Sequence, residues 1–351
     1  MPSVYDIAKP LLFRLPAETA HTVGYALLRV GQAPLVRRAL AAHYGVCDDR
    51  LATAAFGLEF ASPVGVAAGF DKNAHVPGAL SALGFGFVEV GGVTAEPQAG
   101  NPRPRLFRLP EDRALINRMG LNNDGAETVG RRLLTADVDA PVGVNIAKTE
   151  HVAPAEAPAD YRWTYERVAE GADFFVVNVS CPNSQGFEDL QNRESLAAIL
   201  GELVDAGAAP LLVKLSPDLP ELAVADALDV VREFGLDGVV ATNTTTDRPG
   251  SLRSPNRAEA GGLSGEPIEA PATEMVRFVA ERTDVPVVGV GGVASAEDAY
   301  RKIRAGASLV QLYTGLVYEG PSLAREINRG LLGLLERDGF DSVTEAVGAD
   351  L

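Results

Sequence analysis

At 351 residues, 46% of them hydrophobic, the chain is long enough for one large domain plus an extension. A net charge of −16 argues against nucleic acid as a main partner and fits either a solubility device or adaptation to high salt. Two cysteines exclude a secreted disulfide framework and predict a reduced, cytosolic setting; no signal peptide opens the chain, and no apolar run approaches the roughly 20 residues that span a bilayer. Lysine is nearly absent: five residues, Lys9, Lys72, Lys148, Lys214 and Lys302, stand against 26 arginines. A lysine inside an apolar run is therefore a candidate for function.

Residues 1–45 predict a helical extension, with short helices at 3–14, 17–30 and 32–43 carrying apolar positions at helical spacing. Pro16 and Pro34 sit where helices begin, and Arg29, Arg37 and Arg38 lie among them. Such a segment either covers the domain behind it or lies on a membrane surface.

From residue 64 onward, apolar β-branched runs alternate with helical patterns. Strands are expected at 64–69, 87–91, 142–147, 174–180, 211–216, 238–243, 287–292 and 309–315, with helices at 190–206, 219–234, 270–283, 295–305 and 321–337 between the later ones. Eight such repeats predict an α/β fold, a (β/α)8 TIM barrel over 46–351, rather than a doubly wound sheet. Asp71, Lys72, Asn145, Asn178, Lys214, Asn243 and the glycines 291–292 then fall at strand C-terminal ends, the barrel mouth where active sites lie.

Two glycine-rich turns, GGLSG at 261–265 and GVGGVAS at 289–295, follow late strands, the second with Ser295 as N-cap of the next helix. Their backbone N–H groups suit a phosphate; the spacing is not the dinucleotide fingerprint. Lys214, inside LLVKLS, is costly to bury without a partner, and a flavin ring supplies one. Lys72 adds a second positive charge. Asn117, Asn145, Asn178, Asn183 and Asn243 offer amides that read a ring of alternating C=O and N–H groups. Cys181 in NVSCPN is either a buried apolar residue or, after a barrel strand, a general base or nucleophile.

AAGFDKN, NPRPRLFRLPED, INRMG, NVSCPN, VKLSPD, ATNTT, GGLSG, GVGG and GASLVQLYTG, in this order, resemble the dihydroorotate dehydrogenase family over almost the whole chain. The N-terminal LFRLPAETAH resembles its quinone-dependent class 2 members. The resemblance implies an FMN oxidoreductase of pyrimidine biosynthesis that converts dihydroorotate to orotate and is reoxidised by a membrane quinone. It implies FMN contacts from Ala68, Gly69, Phe70, Asp71, Lys72, Gly92, Asn145, Asn178, Lys214, Thr242, Gly265, Gly292, Tyr313 and Thr314. Dihydroorotate is expected at Lys72, Asn117, Arg118, Met119, Gly120, Leu121, Asn178, Asn183, Asn243 and Thr244, with His21 and Arg108 near the quinone head. No metal is expected. A monomer or homodimer held peripherally at the cytoplasmic face of the cell membrane is implied.

Three positions depart from the family pattern. Cys181 stands where the quinone-dependent class has serine, which predicts base catalysis persisting to lower pH, since a thiol's reference pKa is near 8.5. Gly92 replaces a hydroxyl residue, so one flavin contact is missing or supplied by Thr94. Leu121 replaces an aromatic. The rival readings are a soluble-class member using fumarate or NAD, which Cys181 favours, a flavin-dependent tRNA reductase, which the acidity disfavours, and a non-enzymatic phosphate-binding barrel.

Overall fold

β-Branched and apolar residues fill eight short segments whose side chains are buried on both faces, the pattern of a parallel sheet wrapped by helices. The computed structural model describes residues 4–181 and 188–351. The eight segments are Val64–Val66, Phe87–Val93, Val142–Ala147, Phe174–Asn178, Leu211–Leu215, Gly238–Ala241, Val287–Val290 and Ala307–Leu312. Each pairs in parallel with the next, and the last returns to Val64–Val66, closing the barrel. All eight predicted strands are present, and the fold is a TIM barrel.

The helices between them bury one face each against the strands. Asn192 accepts from Ser195 N at 2.9 Å and opens Arg193–Asp205; Ser295 accepts from Asp298 N at 3.2 Å and opens Ala296–Arg304, the cap expected from the sequence. Gly235, at φ +64°, ends Glu221–Phe234 in the left-handed conformation that favours glycine.

The floor of the barrel is aromatic. A hairpin, Thr53–Ala55 with Leu58–Phe60, covers it, and Phe56, Phe60, Phe87 and Phe174 meet with ring centroids 5.4–6.3 Å apart. Gly65 and Gly143 make room for this layer, because a Cβ on either would lie 2.4 Å and 2.2 Å from the Phe87 and Phe174 rings. With the floor sealed by apolar packing, polar chemistry is confined to the opposite end.

Sequence reading missed an antiparallel three-stranded sheet above that end. Leu106–Leu109 and Ala114–Asn117 form a hairpin, and Gly262–Gly265, expected as a turn, pairs with Ala114–Asn117. GGLSG has too few side chains to show an alternating pattern, so pairing rather than periodicity makes it a strand.

The N-terminal segment forms three helices, Val4–Leu12, Ala17–Gly31 and Pro34–Tyr44. They dock through polar contacts: Tyr5 Oη donates to Val317 O at 2.6 Å, Arg105 Nε to Glu18 at 2.7 Å, and Gln32 Nε2 to His75 O at 3.2 Å. Tyr25, Leu28, Leu40 and Tyr44 also pack against the core, while many of the other apolar residues face outward. Eight of the twelve large exposed hydrophobic side chains among the described residues lie between Ile7 and Val36, including Ile7, Leu27 and Leu35. No helix among the described residues is long and apolar enough to cross a membrane.

Candidate active site

Where Val64–Val66 ends, the chain folds around one carboxylate. Asp71, fully buried, accepts from the backbone N–H groups of Asn73 (3.3 Å), His75 (3.0 Å) and Val76 (2.7 Å) and from Tyr25 Oη (2.7 Å). The Asp71 side chain therefore organises the loop and ties it to the second N-terminal helix. Lys72, next in sequence, donates to Gly120 O at 3.4 Å. Burial pulls its pKa down to about 8, with Cys181 acting in the opposite direction and Arg105 adding to the fall.

A directed chain of amides crosses the mouth. Buried Glu89 accepts from Gln311 Nε2 at 2.6 Å and from Asn145 Nδ2 at 2.8 Å. Asn145 Oδ1 accepts from Asn178 Nδ2 at 3.1 Å, and Asn178 Oδ1 from Asn243 Nδ2 at 3.3 Å. Asn243 Nδ2 also reaches Ser180 Oγ at 2.9 Å. A carboxylate is acceptor-only, so Glu89 sets the orientation of every amide behind it. Glu89, Gln311 and Ser180 were not foreseen. The signal was there, in single polar residues inside the apolar runs FVEVG and LVQLYTG, the same signal that drew attention to Lys214.

A cleft opens beside this chain. Ala68, Asn117, Lys214, Thr242, Asn243 and Thr244 line one part of it, and Gly265, Gly292, Tyr313 and Thr314 the other; all ten were predicted from the sequence. Register places Asn178 opposite Lys214 on adjacent strands. The Lys214 ammonium, on a residue only 5% exposed, has no hydrogen bond or ion pair among the described residues. Gln311 Oε1, on the same cleft, is likewise buried without a partner.

At the other end, Gly265 (φ +106°) and Gly292 (φ +74°) form a cradle of bare backbone. A Cβ there would lie 2.5 Å from Arg113 O and 2.4 Å from Glu269 Cα, so no larger residue fits at either position. Ser264 Oγ and Thr314 Oγ1 are 2.8 Å apart, and burial pushes the Tyr313 phenol up to about 12, which keeps it a donor. Arg113 and Ser264, both lining this end, were missed.

Other predicted residues lie outside the cleft lining. Cys181 is 9% exposed, packed in the core and electrostatically coupled to Lys72. Arg118 turns to Glu259 at 2.6 Å and over the Phe107 ring at 4.4 Å. Met119 O accepts from Asn101 N at 3.0 Å, so Met119 and Gly120 act through backbone in this loop. Asn183 is outside the described residues. Gly92 and Leu121 are neighbours, since a Cβ on Gly92 would lie 3.0 Å from Leu121 Cδ2 and 3.1 Å from Asn145 Oδ1. The Thr94 hydroxyl, considered as a substitute flavin contact, instead donates to Glu96 O and accepts from Asn123 Nδ2, each at 2.7 Å.

His21, expected near the quinone, belongs to a connected aromatic path. His21 stacks on Tyr25 (5.8 Å) and meets Phe70 at a tilt (5.5 Å), and Phe70 meets Tyr313 edge-on at 5.5 Å. Burial lowers the His21 pKa, and its Nε2 is buried without a partner. Arg108 lies over Phe13 at 4.7 Å and donates to the carbonyls of Leu12, at 3.1 Å, and Leu15, binding the first helix turn to the sheet.

A sequence model of the family described as dihydroorotate dehydrogenase matches residues 50–335. The dihydroorotate dehydrogenase (quinone) of Haloarcula marismortui is 73% identical over 99% of both chains. That of Halobacterium salinarum is 62% identical over 99% of this chain and 100% of its own. The crystal structure of DHODH in complex with ferulenol from Eimeria tenella superposes with a TM-score of 0.90 at 37% identity, covering 97% of this chain and 98% of that one. With its fold and its sequence thus matched along nearly their whole length, the chain belongs to the dihydroorotate dehydrogenase family.

Proposed function

We propose that the chain oxidises (S)-dihydroorotate to orotate in pyrimidine biosynthesis, with FMN in the cleft and a membrane quinone as final oxidant. The family is flavin-dependent. The observation that carries the reading is the ammonium of buried Lys214, open to the cleft and without a partner among the described residues, in the same cleft as the bare-backbone cradle at Gly265 and Gly292. A flavin pyrimidine ring satisfies the first and a phosphate the second. When bound, FMN supplies a two-electron acceptor for the C6 hydrogen that quinone can reoxidise.

The protein's own groups do the rest. Cys181 takes the C5 proton, and Lys72 is electrostatically coupled to it. Lys72, Asn117, Asn178, Asn183, Asn243 and Thr244 hold the substrate ring, with the amides of Asn178 and Asn243 oriented through Glu89. Ala68, Thr242, Tyr313 and Thr314 hold the cofactor. Quinone enters between the N-terminal helices, past His21 and Phe70.

The exposed Ile7, Leu11, Leu27 and Leu35 lie on the cytoplasmic face of the membrane. With a net charge of −16, attachment rests on apolar contact, so association is detergent-sensitive and tolerant of salt. Dihydroorotate oxidation is assayed with ubiquinone and menaquinone analogues, fumarate and NAD, with and without residues 1–45. Turnover with quinones that falls on truncation is expected; equal turnover with fumarate or NAD would overturn the quinone assignment.

A further inference from the structure

The phosphate end of the cleft carries an unusual charge arrangement. Among the described residues, three charged side chains line the cleft: Lys214, Arg113 and Glu266. Lys214 is on the strand Leu211–Leu215, among the residues assigned to the flavin ring, so Arg113 and Glu266 are left for the phosphate end. Glu266 directly follows Gly265, and Glu319 closes the short helix that begins at Thr314. Two carboxylates therefore flank a cradle suited to a dianion. Arg113 meets both, with Nε 3.1 Å from Glu266 Oε2 and Nη2 bonded to Glu319 Oε1.

The backbone aims Arg113 at this place. It ends the turn between Leu106–Leu109 and Ala114–Asn117 at φ +47°, a left-handed conformation that side chains with a Cβ rarely adopt. Its carbonyl accepts from Glu266 N at 3.4 Å and lies against Gly265, so the turn and the cradle share one backbone contact. Its guanidinium also lies 5.8 Å from the centre of the Tyr318 ring, whose hydroxyl bonds Ala114 O at 2.8 Å. A glycine would relax this turn but would leave both carboxylates uncompensated.

We propose that Arg113 is a specificity-determining residue for the phosphorylated flavin. By offsetting part of the negative charge of Glu266 and Glu319, it allows the cradle at Gly265, Gly292 and Thr314 to accept a phosphate dianion. The inference rests on the FMN reading above.

The test uses the full-length protein loaded with FMN or, by exchange, with riboflavin. Release on dilution is followed by recovery of flavin fluorescence in about 0.2 M and about 2 M KCl, which brackets strong and weak screening. Arg113→Met is expected to release FMN roughly five- to ten-fold faster at the lower salt, the scale of a partly exposed, charge-assisted contact. Riboflavin release should not change, and the higher salt should narrow the FMN difference. Arg113→Lys should restore most of the retention, as should adding Glu266→Gln and Glu319→Gln to Arg113→Met. If Arg113→Met speeds both flavins equally, or changes neither, the role of Arg113 is overturned while the cradle stands. If the unaltered protein releases FMN as fast as riboflavin, the FMN reading fails with it.

Discussion

Replacing Lys72 by methionine should make the protein more stable while disabling it. Burial lowers the Lys72 pKa from 10.5 to about 8, so the folded state disfavours a charge that the unfolded chain carries freely. The gap corresponds to about 3 kcal/mol at about 1.4 kcal/mol per tenfold, reduced to about 2 kcal/mol because the side chain keeps some contact with water. Because this pKa is lowered, the penalty is fully developed below about pH 8 and fades as the pH approaches the unfolded value of 10.5. Lys72→Met should therefore raise the midpoint of thermal unfolding by about 3 °C at pH 7, and by less than half of that at pH 10. The measurement is calorimetric unfolding of the flavin-loaded protein without substrate at both pH values. A Lys72→Met protein less stable at pH 7, or an advantage that does not shrink at pH 10, would refute the reasoning. The same group predicts function: KM for dihydroorotate in the unaltered enzyme should rise as the pH passes about 8, where the substrate's anion loses its cation.

Cys181→Ser should slow flavin reduction at neutral pH roughly tenfold or more and shift its profile upward, because a hydroxyl is far harder to deprotonate than a thiol. An unchanged stopped-flow pH profile would exclude Cys181 as the base. Gly92→Ser should cost about 1–2 kcal/mol, since its Cβ would stand 3.0 Å from Leu121 Cδ2, and adding Leu121→Ala should recover part of that in a double-mutant cycle. Additive effects in urea unfolding would show that the two positions do not share the space. Glu89→Gln puts an NH2 group against one of the two amides that now donate to the carboxylate, and should cost about 1–3 kcal/mol. It should also raise KM for dihydroorotate; a variant of native stability and KM would contradict the directed chain.

The barrel was legible because its strands are buried on both faces, so that each reads as an uninterrupted apolar run such as VVGV or FFVVN. Features that rest on pairing with distant backbone were not. The antiparallel strands Leu106–Leu109 and Gly262–Gly265 are only four residues long, too short for a periodic signal. The helices Pro77–Ala82 and Thr314–Glu319 are short for the same reason and carry glycine.

The site divides along a physical line. Residues that line the cleft with side-chain chemistry or bare backbone stood out, because Lys214 in an apolar strand and glycines after late strands are costly there without a use. Residues that act by orienting others did not. Glu89 shows in sequence only as a lone polar residue in FVEVG, and its role, fixing the dipoles of Asn145, Asn178 and Asn243, lies in contacts elsewhere around the barrel. Asp71 shows the converse: expected at the cofactor, its carboxylate is spent on three backbone N–H groups and on Tyr25. That contact gives Asp71 a reach beyond the loop. The carboxylate that shapes the turn presenting Lys72 is bonded to a helix whose outward face is apolar. One hydrogen bond thus joins the loop that presents Lys72 to the helix Ala17–Gly31.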